Sequence, residues 1–460
     1  MPVEDPVKSS SHEKEMSCWI RGGVRIATLM LLGLASCSSQ PPAAAPTEPV
    51  KKEATETKVP APVTAEPATT PGRMWEGKTL LMHYMPWYET PQGRGNWGSH
   101  WTGHEKQHDP EKLTDRGLPD IWSHYHPLIG LYDSADPDLL ECHLLQMKLA
   151  GIDGVIVDWY GIMPEADYPQ IQEATQAMFA ACGKFGMQFA PCFEDRSVDL
   201  MLKWKKLTEE QVPAHLTETF QWMEKEWFSQ PQMARRDGKP LVLVFGPIYV
   251  QNAEFWRQAL GALKDKPALF GLHHLWRKAA ADGGFTWVHF DAWAGNPDSE
   301  TVKKRLQETY AYPAPEPNQV IPSALVGFDD VYAQSHGRVE AREGQTLRES
   351  LEVCMEGPWP QIQLVTWNDY GEGTMFEPTH EHGYRSLEIV QEARKKEGGG
   401  KFPFAPEDLR LPARLYALRK KVGTDPAVLD KISDLLRSGK CAEAKQALDG
   451  LVPADVKPAS

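Results

Sequence analysis

Cysteine is scarce in this chain and badly spaced for either of its structural uses. Of seven cysteines, Cys18 and Cys37 fall near the amino terminus, and Cys142, Cys182, Cys192, Cys354 and Cys441 are odd in number and have no close pairs. That excludes a dense disulfide framework and a zinc site built on short Cys spacing, while leaving room for one bridge. Positive charge is also short: the formal net charge is −14, with no basic stripe. Nucleic acid is therefore excluded as a partner, because phosphate binding needs clustered Lys and Arg, and a neutral ligand fits better. No Gly-rich phosphate fingerprint follows any apolar run, and no repeat of useful length occurs. The apolar run at 26–34 is too short to cross a bilayer as a permanent helix.

That run has another reading. Arg21 and Arg25 precede it, and it leads into Leu34-Ala35-Ser36-Cys37, the charged, apolar and small-residue order of a signal peptide. The tetrapeptide resembles the bacterial lipoprotein box, which implies that Cys37 is lipidated and that the mature protein is exported, facing the periplasm or outer membrane. Residues 1–37 are thus expected to be a leader and 38–72, rich in Pro, Ala, Thr and Glu, a disordered tether. Membrane contact is expected through the lipid alone.

From residue 78 onward short apolar runs alternate with longer amphipathic ones. Strands are expected at 79–85, 154–159, 187–193, 241–245, 268–272, 287–292, 323–326 and 362–367. Helical spacing occupies 137–150, 165–184, 208–228, 252–264, 299–309 and 346–355, with one short helix at most in 273–285. Eight alternations with near-continuous apolar strands predict an α/β fold of the (β/α)8 TIM-barrel class over 73–400, closed by a helix at 384–395. Residues 401–460 predict a small helical extension, 409–421 and 427–448, with Asp425 as a cap.

In such a barrel the chemistry sits at the carboxyl ends of the strands. Those ends read His83-Tyr84-Met85-Pro86-Trp87-Tyr88, then Asp158-Trp159-Tyr160, Glu194-Asp195-Arg196, His273-His274, and His289, Asp291 and Trp293. The loop after the first strand adds Trp97, His100, Trp101, His104 and His108. The eighth strand ends in Trp367-Asn368-Asp369-Tyr370-Gly371-Glu372-Gly373. Two carboxylates walled by aromatics are what glycoside hydrolysis needs, one acid for the leaving oxygen and one base or nucleophile. The flanking glycines let the backbone bend and a substrate approach. Sixteen Trp fit a cleft that stacks sugar rings. His100, His104 and His108 are four apart, but Gly98 and Gly103 make that stretch a poor helix, and no HExxH spacing occurs. No metal or cofactor is expected.

The segments HYMPWYETP, NWGSHW and LPDIWSHYHPLIGLYDSADPDLLECHLLQMKLAGIDGVIVDWYG resemble the opening of glycoside hydrolase family 99, the endo-α-mannosidases and endo-α-mannanases. TWNDYGEGTMFEP is closer to the WNDYGE motif of family 71, the α-1,3-glucanases, so the chain resembles a combined 71/99-like group over 78–395. The resemblance implies a (β/α)8 barrel, with Glu372 as general acid/base and Asp369 as its carboxylate partner. In family 99 that partner is usually Glu, understood to deprotonate the substrate 2-hydroxyl; here it is one methylene shorter. The resemblance further implies Trp87, Tyr88, Trp101, Trp159 and Tyr160 as stacking walls, and Asp158, Glu194, Asp291 and Glu377 as holders of sugar hydroxyls. Tyr84, His104, Trp293 and Asn368 complete the expected substrate-binding set. The expected partner is an α-linked mannan or glucan, as polysaccharide or oligosaccharide. A non-catalytic carbohydrate-binding surface lipoprotein is the alternative.

Overall fold

A strand covered by helices on one face needs a second apolar surface for the other, and this chain supplies it by closing its sheet on itself. The computed structural model describes residues 74–312, 316–332 and 337–451. The expected leader, tether and Cys37 lie outside the described residues.

The strands are β1 (Thr79–Tyr84), β2 (Gly154–Trp159), β3 (Gln188–Glu194), β4 (Lys239–Phe245), β5 (Ala268–Leu272), β6 (Gly283–Phe285), β7 (Val320–Ile321 with Ser323–Leu325) and β8 (Gln361–Val365). Each pairs in parallel with the next, and β8 returns to β1 with Thr79 opposite Gln361. The break in β7 comes from Pro322, which has no N–H for a ladder. Ahead of it Ile321 pairs with Phe285 of β6; beyond it Ser323 pairs with Gln363 of β8. The Pro322 carbonyl still accepts from Gln363 N at 2.9 Å. Nine parallel stretches thus fill eight positions of a (β/α)8-type barrel.

Side chains alternate between the two faces of each strand. Leu81, Ile156, Ala190, Leu243, Phe270, Phe285 and Val365 fill the barrel interior as one buried cluster. Their neighbours Leu80, Val155, Val157, Phe189, Val242, Leu269 and Leu364 face the helices in a second cluster. The covering helices are α1 (Pro137–Ala150), α2 (Tyr168–Phe185), α3 (Val212–Met223), α4 (Ala253–Gly261), α5 (Ser299–Ala311), α6 (Gln345–Glu356) and α7 (Arg385–Glu397). The start of α1 is set by Asp136, which accepts from Asp138 N at 3.0 Å, and its end by Gly151 at φ 89°.

Two expectations are corrected. The sixth strand is Gly283–Phe285, and the apolar run at 287–292 instead enters a short helix, Phe290–Trp293. Two glycines hid the strand; Gly283 is required there because a Cβ would meet the Gln319 carbonyl oxygen at 2.4 Å. The last expected helix is two helices, divided at Gly439 with φ 74°. The extension is α8 (Leu411–Arg419), α9 (Pro426–Arg437) and α10 (Cys441–Asp449). Asp425 caps α9, accepting from Ala427 N at 3.0 Å. Arg419 of α8 holds the buried Glu141 of α1, and Ser433 of α9 donates to the same carboxylate at 2.6 Å. The extension therefore packs on the barrel's helical coat. All five cysteines among the described residues are free and buried.

The end of the barrel opposite the strand carboxyl ends is riveted by Arg394 of α7, 2% exposed. Its guanidinium donates to Gly151 O at 2.7 Å, Lys78 O at 2.8 Å, Glu397 at 2.8 Å and Asp153 at 2.7 Å. Asp153 in turn accepts from Leu80 N of β1 at 2.8 Å. Arg394→Met leaves Asp153 buried without its cation, and we expect a loss of about 3–5 kcal/mol in urea unfolding.

Candidate active site

Strand alternation sorts the residues at the carboxyl ends of β1, β2 and β3. In Asp158-Trp159-Tyr160, Asp158 turns into the barrel and Trp159 turns out, where it lies stacked 5.5 Å from Trp222 in the helix-side core. Trp159 also donates to Gln172 of α2. It is thus a packing residue and not a sugar wall. On β1 the inward residue is His83; Tyr84 points to the helices, its hydroxyl 3.1 Å from His143 Nδ1 of α1.

After β8 the chain turns tightly. Asp369 N donates to Thr366 Oγ1 at 2.8 Å, and Glu372 N donates to Asp369 Oδ1 at 3.0 Å. The second bond ties the two carboxylates into one turn. Gly373 adopts φ 68°, as the turn requires. Gly371 serves differently from expectation: a Cβ would fall 1.8 Å from Tyr332 Cζ, so the close approach is by Tyr332 and not by a substrate. Tyr332 OH lies 3.5 Å from Asp369 Oδ1. Glu372 Oε2 accepts from Trp287 Nε1 at 3.3 Å.

The electrostatics follow from crowding acids where water is scarce. Asp369 is 3% exposed, and burial pushes its carboxyl up to about 7, against the pull of its bonds from Glu372 N and Gly371 N. Burial, then the charges of Asp369 and Asp330, push the partly exposed Glu372 well above the usual carboxylate range. Burial likewise pushes Glu194 up to about 8, with Arg196 pulling the other way. Asp158 is raised well above the ordinary range by burial and by Glu194, Asp369 and Glu372. Four carboxyl groups from β2, β3 and the turn after β8 therefore share one field, and each favours holding a proton.

Aromatic residues flank this group. Trp87 stacks on His100 with ring centroids 4.3 Å apart and lies 6.5 Å from Tyr160, which stacks in turn on Tyr168 at 5.2 Å. Tyr88 braces the turn from below, donating to Asn368 O at 2.7 Å and accepting from Tyr370 N at 3.2 Å. Asn368 is consumed by structure as well, accepting from Met85 N at 2.8 Å and donating to Met85 O at 3.0 Å. Trp101 is fully buried and donates to Tyr132 O at 3.1 Å.

Three further expectations are not met. Glu377 is 3% exposed and its oxygens are already taken, by Tyr132 OH at 2.8 Å, Tyr370 OH at 2.9 Å and His143 Nε2 at 3.1 Å. It is an internal brace with no oxygen left for a sugar. Asp291 is exposed on the short helix, and Trp293 donates to the buried Glu349 of α6 at 3.2 Å. Both follow from the misplaced sixth strand. The residue that actually leaves β6 toward the carboxylates is Trp287, two past the inward Phe285, and counting in twos from that residue would have found it. Tyr332 and Asp330 come from the long connection after β7 and carry no sequence signal. His100, His104 and His108 go to separate neighbours: Trp87, Trp122 at 5.0 Å and Asp120 at 2.8 Å. They form no common ligand set.

Residues 77–266 match the family model of glycosyl hydrolase family 99. The glycoprotein endo-alpha-1,2-mannosidase of Mus musculus is 36% identical over 88 residues, 18% of this chain and 19% of that protein. A glycoprotein endo-alpha-1,2-mannosidase-like protein of Danio rerio is 30% identical over 120 residues, 24% and 27% of the two chains. The matched stretch thus spans only a fifth to a quarter of these relatives. A solved family 99 endo-alpha-mannosidase from Bacteroides thetaiotaomicron is similar in fold, with a TM-score of 0.52 at 19% identity over 70% of this chain and 98% of that one. Of the two families whose motifs this chain resembles, the matching model is that of family 99. Asp369 and Glu372 lie beyond the matched residues, so their pairing rests on the geometry above.

An acid whose folded pKa is raised binds its proton more tightly in the native state, so stability falls as pH rises from the unfolded value through the folded one. For Asp369 that window runs from about 4 to about 7. Asp369→Asn keeps an oxygen for Glu372 N and removes the charge. We expect its melting temperature to exceed that of the parent by a few degrees at pH 8, on the order expected for removing one buried charge, with the gain disappearing at pH 4. Calorimetry at the two pH values checks this.

Proposed function

We propose that this family 99-like protein is a glycoside hydrolase that cleaves α-linked mannan, as polysaccharide or oligosaccharide. The observation that carries the reading is the carboxylate pair in the β8 turn. Burial and the neighbouring charges of Asp369 and Asp330 raise the Glu372 carboxyl well above the usual carboxylate range, the direction in which a general acid for a glycosidic oxygen must be shifted. Asp369, pushed up to about 7 by burial, is poised to exchange a proton near neutral pH. The Trp287 N–H favours the ionised form of Glu372 and so steadies it once the proton has gone to the leaving group. Tyr160, in the field of Glu194 and Asp158, with Trp87 next to it, supplies aromatic surface suited to an apolar sugar face. The family likeness over β1 to β4 supports α-mannoside as the substrate class.

Glu372→Gln is almost isosteric and should fold as the parent does, yet lose at least ~100-fold in turnover. Product release from α-mannan and α-glucan panels tests this. If the parent and Glu372→Gln bind one polymer equally and neither cuts any, the protein is a carbohydrate-binding module and the hydrolase reading falls.

We also propose that the protein is exported as a lipoprotein anchored through Cys37, on the strength of Arg21, Arg25, the apolar run and the Leu-Ala-Ser-Cys order. Mass spectrometry of the mature amino terminus should find a diacylated Cys37. A mature chain beginning elsewhere refutes the anchor.

A further inference from the structure

Inside the barrel, Asp158, one of the four acids, also belongs to a second group whose other members, His83 and Cys192, the hydrolytic reading leaves unused. His83 of β1, Asp158 of β2 and Cys192 of β3 are the inward residues of three adjacent strands, with Asp158 and Cys192 opposite each other in register. All three are buried, and one nitrogen, one oxygen and the sulfur lie within 4.8 Å of one another. This is the one group of three such ligand atoms among the described residues.

Two of these three residues carry a buried polar atom without a partner. His83 Nε2 and Asp158 Oδ1 have no hydrogen bond among the described residues, although His83 is 0% and Asp158 2% exposed. A buried polar atom left so costs free energy and calls for a missing partner. The other side of the His83 ring shows what kind. Gln363 Nε2 donates to Thr286 O at 3.1 Å and to Ser323 Oγ at 3.2 Å, so the amide orientation is set and its Oε1 faces His83 Nδ1 at 3.3 Å. An acceptor at Nδ1 puts the proton there and leaves the lone pair on the unpartnered Nε2, free to serve as a ligand. An outer partner that holds one imidazole nitrogen and frees the other is the support metal-binding histidines receive.

We propose that His83 Nε2, Asp158 Oδ1 and Cys192 Sγ bind one divalent cation of the zinc class. A thiolate and an imidazole select a borderline-soft ion over magnesium or calcium. Three protein ligands leave a fourth position for water or substrate, unlike the four-ligand structural sites. Three atoms within 4.8 Å of one another always admit a point no more than about 2.8 Å from each, so a contraction of about half an ångström reaches zinc-ligand lengths. Binding releases the Cys192 proton to solvent as the metal–sulfur bond forms. The ion would also place positive charge beneath the acids whose field Asp158 shares.

The test reads metal and not hydrolysis, so it fails or succeeds apart from the function proposed above. Full-length protein is stripped with a chelator, dialysed against micromolar zinc, and analysed by mass spectrometry for metal content. About one zinc per chain is expected, and cobalt in its place should give a near-ultraviolet thiolate-to-cobalt absorption band. Cys192→Ser should lose both the band and the equivalent of zinc while melting as the metal-free parent does. If Cys192→Ser does not fold, X-ray absorption of the zinc-loaded parent decides: one sulfur at about 2.3 Å with nitrogen and oxygen at about 2.0 Å supports the site. Less than roughly a tenth of an equivalent bound, zinc retained by a folded Cys192→Ser, or a shell without sulfur each overturns it.

Discussion

The structure depends on the two-residue alternation of strands in a closed sheet. Because the barrel has an inside with a finite volume and an outside covered by helices, every strand residue is committed to one or the other. That is why Trp159, beside the acid Asp158, packs among Trp222 and Trp227 while Asp158 enters the barrel. It is also why His83, Asp158, Cys192 and Gln363 meet although 280 residues separate the first from the last. Pro322 shows the constraint from the other side: a residue that cannot donate to a ladder sits where β7 hands its pairing from β6 to β8.

Closure concentrates charge. The ends of β2, β3 and β8 carry Asp158, Glu194, Asp369 and Glu372 into one poorly hydrated region, where Arg196 is the cation acting on Glu194. Charges of one sign cannot all persist there, and the acids respond by keeping protons. A fold selected for stability alone would not gather them so, which is the physical ground for placing the chemistry at this end. The opposite end is built on the reverse logic: Arg394 sets one buried cation against Asp153, Glu397 and two carbonyls, so unlike charges meet there.

Most of the architecture was legible because periodicity is local. Near-continuous apolar strands such as β2 and β4, the Asp425 cap and the acidic turn after β8 all announce themselves within a few residues. The sixth strand did not. Gly283-Gly284-Phe285 has little strand propensity, and the apolar stretch after it drew the assignment four residues too far. The error then passed to the site, exchanging Trp287 for Asp291 and Trp293. Glu377 was misjudged for a different reason. It follows the acidic turn closely, but its partners Tyr132 and His143 lie more than 230 residues away in sequence.

By itself the sequence determined the barrel class, the eight-fold alternation, the helical extension and the pairing of Asp369 with Glu372, since each is written in spacings of two to four residues. Only tertiary structure decided which strand-end residues face the acids, which acids already have partners, and that Trp287 and Tyr332 stand beside Glu372 and Asp369. These are properties of contact between distant segments. They depend on strand register and on burial, neither of which exists until the barrel closes.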